Sequence, residues 1–348
     1  MQIRFPNFMP ISVLLVTCIS MVFLVTQPAS AETNDGFKIQ ASPSPLVLTL
    51  TPGQSQTTEL TIRNFGGHTE TLHPILRSFT TSSDSKTITI NGSAPADISS
   101  WVTFGQNHIT VNPGSEQKLP IRYQVPATAG FSYSFAILLE REQQAAQTPG
   151  AATFEASIAV FNLLNINRAD AKASMSVDAF QTDKKRYEFL PISFSVKTHN
   201  AGNVIGRPTG TIFIQRNADD ATPIATLPIN DSGGYILPDK SRAFTSTWDS
   251  GFPRFVTIKA SESGNPSLRL EWNWKELNQV RIGHYVAKAV VVYNDGSRDV
   301  PLVVTHGFWV MPWRLLGILL GITLILLAGL AAIFWQSYKL FRKVRRRA

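Results

Sequence analysis

The sequence has only one cysteine, Cys18, among its 348 residues. It lies in an apolar run near the N-terminus, so we expect no disulfide, and the fold must be stabilised by burial alone. Catalytic signatures are also lacking: we find no His-Glu-x-x-His motif, Gly-x-Ser-x-Gly elbow, phosphate-binding loop or dinucleotide fingerprint. The six histidines are scattered, without the spacing of metal ligands. We therefore predict a protein that is not an enzyme and that uses neither cofactor nor metal.

Acidic residues are absent from both ends of the chain, which explains its net charge of +8. Arg4, Arg314 and six cations of the C-terminal tail account for all of this charge, so residues 32–308 are neutral. The basic character therefore reflects topology and indicates no nucleic-acid partner. The six tail cations are Lys339, Arg342, Lys343, Arg345, Arg346 and Arg347.

Long apolar runs occur only at the two ends. Residues 1–31 combine Arg4, an apolar stretch and Ala29-Ser30-Ala31, an order typical of a signal peptide cleaved after Ala31. Residues 312–336 are predicted to form a single transmembrane helix, followed by a basic tail at 337–348. Since cations favour the cytoplasmic side, we expect a single-pass plasma-membrane protein whose N-terminal domains are extracellular. The lack of cysteine is typical of a bacterial envelope.

Between these ends, long helical periodicity is absent and short alternating segments are separated by Asn-Gly and Pro-Gly turns. This pattern predicts an all-β ectodomain of two immunoglobulin-like β-sandwich domains in tandem, at 36–168 and 169–307. The two halves share features: Asn64-Phe65-Gly66 matches Asn200-Ala201-Gly202. Gly130-Phe131-Ser132-Tyr133 likewise matches Gly283-His284-Tyr285. We therefore expect two domains of related plan.

Trp272 and Trp274 allow two interpretations. They alternate with charged residues over 268–275, so they either form an aromatic platform for a glycan or partner protein, or belong to the core face of a strand. In a β-sandwich, a tryptophan in such a pattern more commonly belongs to the core face. We also expect Trp101 and Trp248 to lie in the core. Trp309 and Trp313 lie where an aromatic belt meets the outer membrane surface.

Gly317 and Gly321 lie four residues apart in the predicted membrane helix. This spacing allows close approach of two helices, so it is compatible with a homodimer formed through the membrane helix. The same spacing also arises by chance in glycine-rich spans.

Several short motifs follow one another along nearly the whole chain. They are Leu50-Thr51-Pro52-Gly53-Gln54, Leu60-Thr61-Ile62-Arg63-Asn64, Trp101-Val102, Val125-Pro126, Gly130-Phe131-Ser132-Tyr133, Asn200-Ala201-Gly202-Asn203, Pro208-Thr209-Gly210 and Leu237-Pro238. In these motifs the sequence resembles the WxL-interacting-protein-like family of bacterial cell-surface proteins, but it lacks the Pro-x-Asn-Gln segment expected near the start of the first domain. The resemblance implies a signal peptide, two β-sandwich domains, one C-terminal membrane helix, and binding to peptidoglycan and another surface protein.

Three functional hypotheses follow. The first is a non-enzymatic, membrane-anchored cell-surface protein whose tandem domains bind a cell-wall polymer or a surface protein through an edge strand or loop. The alternative is a chaperone-like assembly factor for exported proteins, since residues 42–50 followed by Pro52-Gly53 resemble the opening strands of pilus-chaperone-like domains. The third, an enzyme with a site between the domains, has least support because no acid, base or nucleophile stands out.

Overall fold

The structure is a computed structural model that describes residues 36–142, 156–258 and 267–345. It confirms the predicted fold class, with two β-sandwiches followed by one long helix. The predicted signal peptide, including Ala29 and Ala31, lies outside the described residues, as do Arg346 and Arg347.

The first sandwich packs a four-stranded sheet of order β1-β3-β9-β7 against a five-stranded sheet of order β2-β11-β10-β4-β8. A small hairpin, β5-β6, lies outside both sheets. The strands are β1 (Ile39–Ser42), β2 (Leu46–Leu50), β3 (Ser55–Asn64), β4 (Glu70–Arg77), β5 (Phe79–Thr81), β6 (Ile88–Ile90), β7 (Val102–Phe104), β8 (Ile109–Val111), β9 (Glu116–Gln124), β10 (Ser132–Arg141) and β11 (Ser157–Ile166).

The second sandwich repeats this plan with sheets of order β12-β14-β17 and β13-β21-β20-β15-β16. In both sandwiches a short strand near the start of the domain pairs parallel to the domain's last strand. Its strands are β12 (Met175–Thr182), β13 (Arg186–Tyr187), β14 (Ile192–Asn200), β15 (Thr209–Gln215), β16 (Ala225–Ile229), β17 (Lys240–Trp248), β20 (Gly283–Asn294) and β21 (Asp299–Val310). Between β17 and β20 lie a hairpin of β18 (Arg254–Ile258) and β19 (Ser267–Glu271) and a 3₁₀ helix (Trp274–Gln279).

The matching Asn-x-Gly motifs form the same turn in both sandwiches. The Asn64 side chain donates to the carbonyls of His68 and Val111 and accepts from the Gly66 amide. The Asn200 side chain donates to the carbonyls of Val204 and Ile236 and accepts from the Gly202 amide. Both asparagines are fully buried. Because buried backbone groups need partners, each side chain replaces hydrogen bonds that the turn cannot make with its own backbone.

Each sandwich has its own apolar core between its two sheets. In the first, the buried Tyr123 hydroxyl donates to Asn162 Oδ1 at 2.6 Å, and burial raises the pKa of Tyr123 above its usual value. In the second, Trp248 is buried against Tyr285 and Phe308, as expected of a core tryptophan. Trp101 is partly buried against the first core.

A single long helix, α1 (Trp313–Arg345), follows β21. Within the described residues, its segment Trp313–Tyr338 is long and apolar enough to cross a membrane. Arg314 Nε lies 3.3 Å from Glu188 Oε1, and the Met311 amide donates to Tyr187 O at 2.7 Å, so the start of the helix is held against the second sandwich. Gly317 and Gly321 lie in α1 with open space beside them, and helix pairing through them stays a prediction. The orientation of the tail also stays a prediction.

The turn between β20 and β21 gives a pH-dependent prediction. Asp295 Oδ1 accepts hydrogen bonds from the Ser297 amide, the Ser297 hydroxyl and the Arg298 amide, and these lower the pKa of Asp295 from 3.8 to about 2. Because the folded pKa lies below the unfolded one, the carboxylate stabilises the fold above about pH 4, and this contribution is lost as pH falls towards 2. The stability difference between the wild type and Asp295→Ala should therefore shrink over this range in denaturant titrations. A constant difference would contradict the prediction.

Candidate functional site: the cleft between the sandwiches

The two sandwiches are joined by hydrogen bonds at the end of β11. Asn165 Nδ2 donates to Ile205 O and Asn165 Oδ1 accepts from the Ile205 amide, both at 2.9 Å. The Ser132 hydroxyl also donates to Asn203 O at 3.0 Å. Phe131 packs against a small second-domain cluster that includes Met175. The relative position of the two domains is therefore held by specific contacts, as a preformed binding cleft requires.

The β5-β6 hairpin makes a further contact across the cleft. The Ser241 amide of the second sandwich donates to Ser83 O, in the hairpin loop, at 3.0 Å. Phe79 packs edge-on against Phe161 of β11, with ring centroids 5.1 Å apart, which seats the hairpin on the outer face of the first sandwich. Ile88 and Ile90 of the same hairpin remain exposed. The hairpin thus forms one wall of the cleft.

Two neighbouring cavities lie in the cleft, and both are lined by Phe79, Thr81 and Leu237. The larger, of about 920 Å³, is bordered by the start of β10, the interdomain linker and the 200–203 turn. The smaller, of about 310 Å³, has Phe161 and Leu163 of β11 on one side and Tyr235 and Arg242 on the other. An apolar strand face beside a cavity is a suitable place for the side chains of an extended ligand.

In the described part of the chain, half of β11 has an edge without a ladder partner, its free edge, although β1 approaches β11 without pairing with it. Strand β10 pairs with β11 from Ser157 to Asn165, whereas β2 pairs with it only from Asn162 to Ile166. Residues 157–161 therefore have a ladder partner on one side only. An unpaired strand edge presents amide and carbonyl groups to which another chain can bond.

The direction of these backbone groups follows from the hydrogen bonds at both ends of β11. The Arg141 amide donates to Ala156 O, and the Ile166 amide donates to Phe131 O. Because backbone groups alternate in direction along an antiparallel strand, even-numbered residues of β11 bond to β10. The amides of Ser157, Ala159 and Phe161 therefore point to the free edge.

Strand β21 of the second sandwich offers a matched comparison. It pairs with β20 along its whole length, and with β13 only at Trp309 and Val310. The Asp295 amide donates to Arg298 O, so the same alternation directs the amides of odd-numbered residues such as Val303 to the outer edge. Leu227, Ile229 and the other residues of β16 lie at the opposite edge of that sheet. Of these two last strands, β11 contributes side chains to the interdomain cavities.

The charged residue that lines the smaller cavity, Arg242, packs against an aromatic ring. The Arg242 guanidinium lies 5.8 Å from the Phe244 ring centre and donates to Tyr235 O at 3.2 Å. In the described ranges, no three His, Cys, Asp or Glu side chains are grouped as metal ligands. The arrangement is chemically suited to hold an extended, partly apolar chain by backbone pairing.

Trp272 and Trp274 lie far along the chain from this cleft, at the other end of the second sandwich. The interpretation that they belong to a core strand face is wrong: β19 ends at Glu271, and the two side chains are 44% and 68% exposed. The strand could not continue as a core face because the chain turns at Asn273 into the 3₁₀ helix. Their role as a ligand platform stays a prediction.

Phe79, Ile88 and Phe161 were not predicted from the sequence as cleft residues. One available signal was the apolar character of both faces of residues 156–166, which is unusual for a strand with one wet face. That pattern did not show which domain would cover the outer face of the strand.

No protein-family model matches the chain, and no curated protein matches it. Solved structures similar to it include the CsuC-CsuE chaperone-tip adhesion subunit pre-assembly complex of Acinetobacter baumannii, at 10% identity and a TM-score of 0.35, covering 76% of this chain and 97% of that one. The Pseudomonas aeruginosa CupB2 chaperone has 10% identity and a TM-score of 0.33, covering 78% and 100%. The E. coli chaperone DraB has 10% identity and a TM-score of 0.33, covering 76% and 98%. Similarity at this level carries no information about binding.

Proposed function

We propose that this protein is a membrane-anchored, chaperone-like binding protein that holds an extended segment of an exported polypeptide along the free edge of β11, which leads to the interdomain cleft at Phe161. The free edge of β11 at residues 157–161 is the observation that carries this proposal. A segment pairing there adds a strand to the five-stranded sheet, with main-chain hydrogen bonds supplying affinity. One of its side chains enters the smaller cavity beside Phe161 and Ile88. The protein has no catalytic role in this proposal.

Anchoring is the second part of the proposal. Segment Trp313–Tyr338 spans the plasma membrane, and the two sandwiches lie on its outer side, where exported polypeptides emerge. In that position the cleft faces away from the bilayer, because α1 leaves the second sandwich at the end opposite the interdomain contacts. The resemblance of its short motifs to the WxL-interacting-protein-like family is compatible with this role.

Binding to a cell-wall polymer is the second candidate function. Its supporting observation is the exposed pair of Trp272 and Trp274, with ring centroids 5.9 Å apart, since stacked indoles can hold a sugar face. Because the two tryptophans lie beside the start of the helix, their contact with the membrane surface is favoured over contact with the cell wall. Sedimentation of the full chain with protein-free cell wall, abolished by Trp274→Ala, would establish this second function instead.

The proposed function is tested at Ala159, whose amide points to the free edge. A photocrosslinking amino acid at position 159 of the full chain, expressed in its own cells, is expected to capture exported polypeptides through one extended segment. Ala159→Pro removes the outward amide without removing a bond to β10, and edge positions tolerate proline. We expect it to weaken binding of a synthetic peptide of the captured segment about tenfold, or ~1.4 kcal/mol.

Val303→Pro is the matched control, because it removes an outward amide from the free edge of β21. It should leave peptide binding unchanged. Equal weakening by both prolines would indicate a general effect on stability and contradict the proposal. Crosslinks from position 159 to wall polymer alone would contradict it as well.

A further inference from the structure

The second sandwich has an exposed apolar surface at the end from which α1 leaves. The described residues between β17 and β20, 249–258 and 267–282, lie at this end, because β17 stops at Trp248 opposite Ile192 and β20 starts at Gly283 opposite Val310, just before the helix. We call the exposed apolar side chains here the helix-end surface: Trp272, Trp274, Leu277, Val280, Ile282, Trp309, Met311 and Trp313.

The aromatic part of the helix-end surface packs on the buried Phe252. Phe252 is buried, and its ring centre lies 5.8 Å from that of Trp272 and 5.3 Å from that of Trp274. The Phe252 amide donates to Gln279 O at 3.0 Å, which ties this ring to the 3₁₀ helix. Large apolar side chains held out towards water in one contiguous patch indicate a surface that is covered in the working protein.

Contacts around the end of β21 place this surface beside the start of α1. The Arg216 guanidinium donates to Ile282 O at 2.7 Å, and Gly283 pairs with Val310 at the end of β21. A mainly apolar notch of about 310 Å³, lined by Arg186, Trp309, Met311 and Trp313, adjoins the first turn of the helix. The helix-end surface is thus continuous with the apolar span.

We propose that the helix-end surface inserts into the outer headgroup region of the bilayer that α1 spans, so that the second sandwich rests on the membrane. The inference rests on the anchoring in the proposed function. Lipid is the occupant because Trp309, Met311 and Trp313 of this surface line one notch at the first turn of the span, with Arg186 as the charged residue in its lining. Tryptophans flanked by apolar side chains favour the headgroup region, and apolar faces of this kind bind lipid in the plane of the membrane.

The test uses the full chain in phosphatidylcholine vesicles, with Cys18→Ser and one introduced cysteine carrying an environment-sensitive fluorophore. The labelled variants are Trp274→Cys and Leu277→Cys in the surface, Ile325→Cys within α1, and Asp231→Cys in the exposed β16-β17 turn at the far end. In vesicles containing brominated lipid, the labels at 274, 277 and 325 should lose emission and the label at 231 should not. Leu277→Cys keeps both indoles, so it serves if the Trp274 variant does not fold.

The outcomes separate this inference from the anchoring. Loss of emission at 325, with labels at 274 and 277 behaving as at 231, would overturn the inference and leave the anchoring intact. No loss at 325 would overturn both. Protection of 274 and 277 from a water-soluble quencher without any effect of brominated lipid would identify a protein cover, such as a second copy, and overturn the inference.

Discussion

Asn200→Ala should lower the free energy of unfolding of the second sandwich by roughly 3 kcal/mol. The substitution removes four hydrogen bonds at a fully buried position and leaves the carbonyls of Val204 and Ile236 and the amides of Gly202 and Ser174 without their side-chain partner. An unsatisfied buried polar group costs about 1–3 kcal/mol, and partial relaxation of the turn keeps the total below the sum of four. Denaturant unfolding followed by tryptophan fluorescence, to which the buried Trp248 of this domain contributes, measures the change.

Asn294→Ala is the matched control for this prediction. Asn294 also accepts from the amide of a glycine two residues on, Gly296 at 2.9 Å, but its side chain is exposed and water can replace it. Its loss should cost below about 1 kcal/mol. Because the chain has two domains, the transitions must be fitted separately. If the two substitutions lowered the free energy of unfolding equally, burial would not determine how much this hydrogen-bond cluster stabilises the domain.

The Asn-x-Gly turns show why the fold could be predicted from sequence. Asparagine followed two residues later by glycine defines a turn through local hydrogen bonds, and its repetition at Asn64 and Asn200 reports a repeated topology. Alternating apolar residues define which face of each strand is buried, as they do for β4 and β14. Both signals are contained within a few consecutive residues, so they need no knowledge of the tertiary structure.

Trp272 and Trp274 show the limit of what such local signals can predict. Their alternation with charged residues matched a strand, but β19 stops at Glu271 and the chain enters a 3₁₀ helix in which alternation no longer defines a face. The free edge of β11 could not be predicted from local sequence either, because it depends on how many residues of β11 pair with β2. The position of Phe79 against Phe161 depends on a hairpin folding over a neighbouring strand. Each is set by contacts between distant segments.

The turn at 200–203 makes one of the contacts between the sandwiches and borders the larger cavity, which connects the stability of the second domain to the geometry of the cleft. Asn203 accepts from the Lys172 amide at 2.7 Å through its side chain and from the Ser132 hydroxyl through its carbonyl. Ala201, Gly202 and Asn203 all border the larger cavity. A change in this turn therefore alters both the linker and a wall of the proposed binding site.

Gly202→Ala should destabilise the second sandwich by about 3 kcal/mol, the upper part of the range for overpacking. A Cβ at this position would lie 2.3 Å from Lys172 O and 2.5 Å from the Ser174 amide nitrogen, so the backbone of the linker itself must move. We expect a lower melting temperature for the second domain together with weaker capture of the polypeptide segment by Ala159 crosslinking, since the linker borders the cleft.

Gly66→Ala provides the control, because Gly66 occupies the same place in the matching turn of the first sandwich. Its added Cβ would meet the side-chain Asn64 Oδ1 at 3.1 Å, with the nearest backbone atom at 3.8 Å, so a small side-chain shift relieves the contact. The cost should be below about 1 kcal/mol, and the cleft should keep its affinity. If Gly202→Ala lowered stability but left segment capture intact, the 200–203 turn would support the second domain without shaping the binding site. If Gly66→Ala were equally costly, the turn motif itself, and not its contact with the linker, would require glycine.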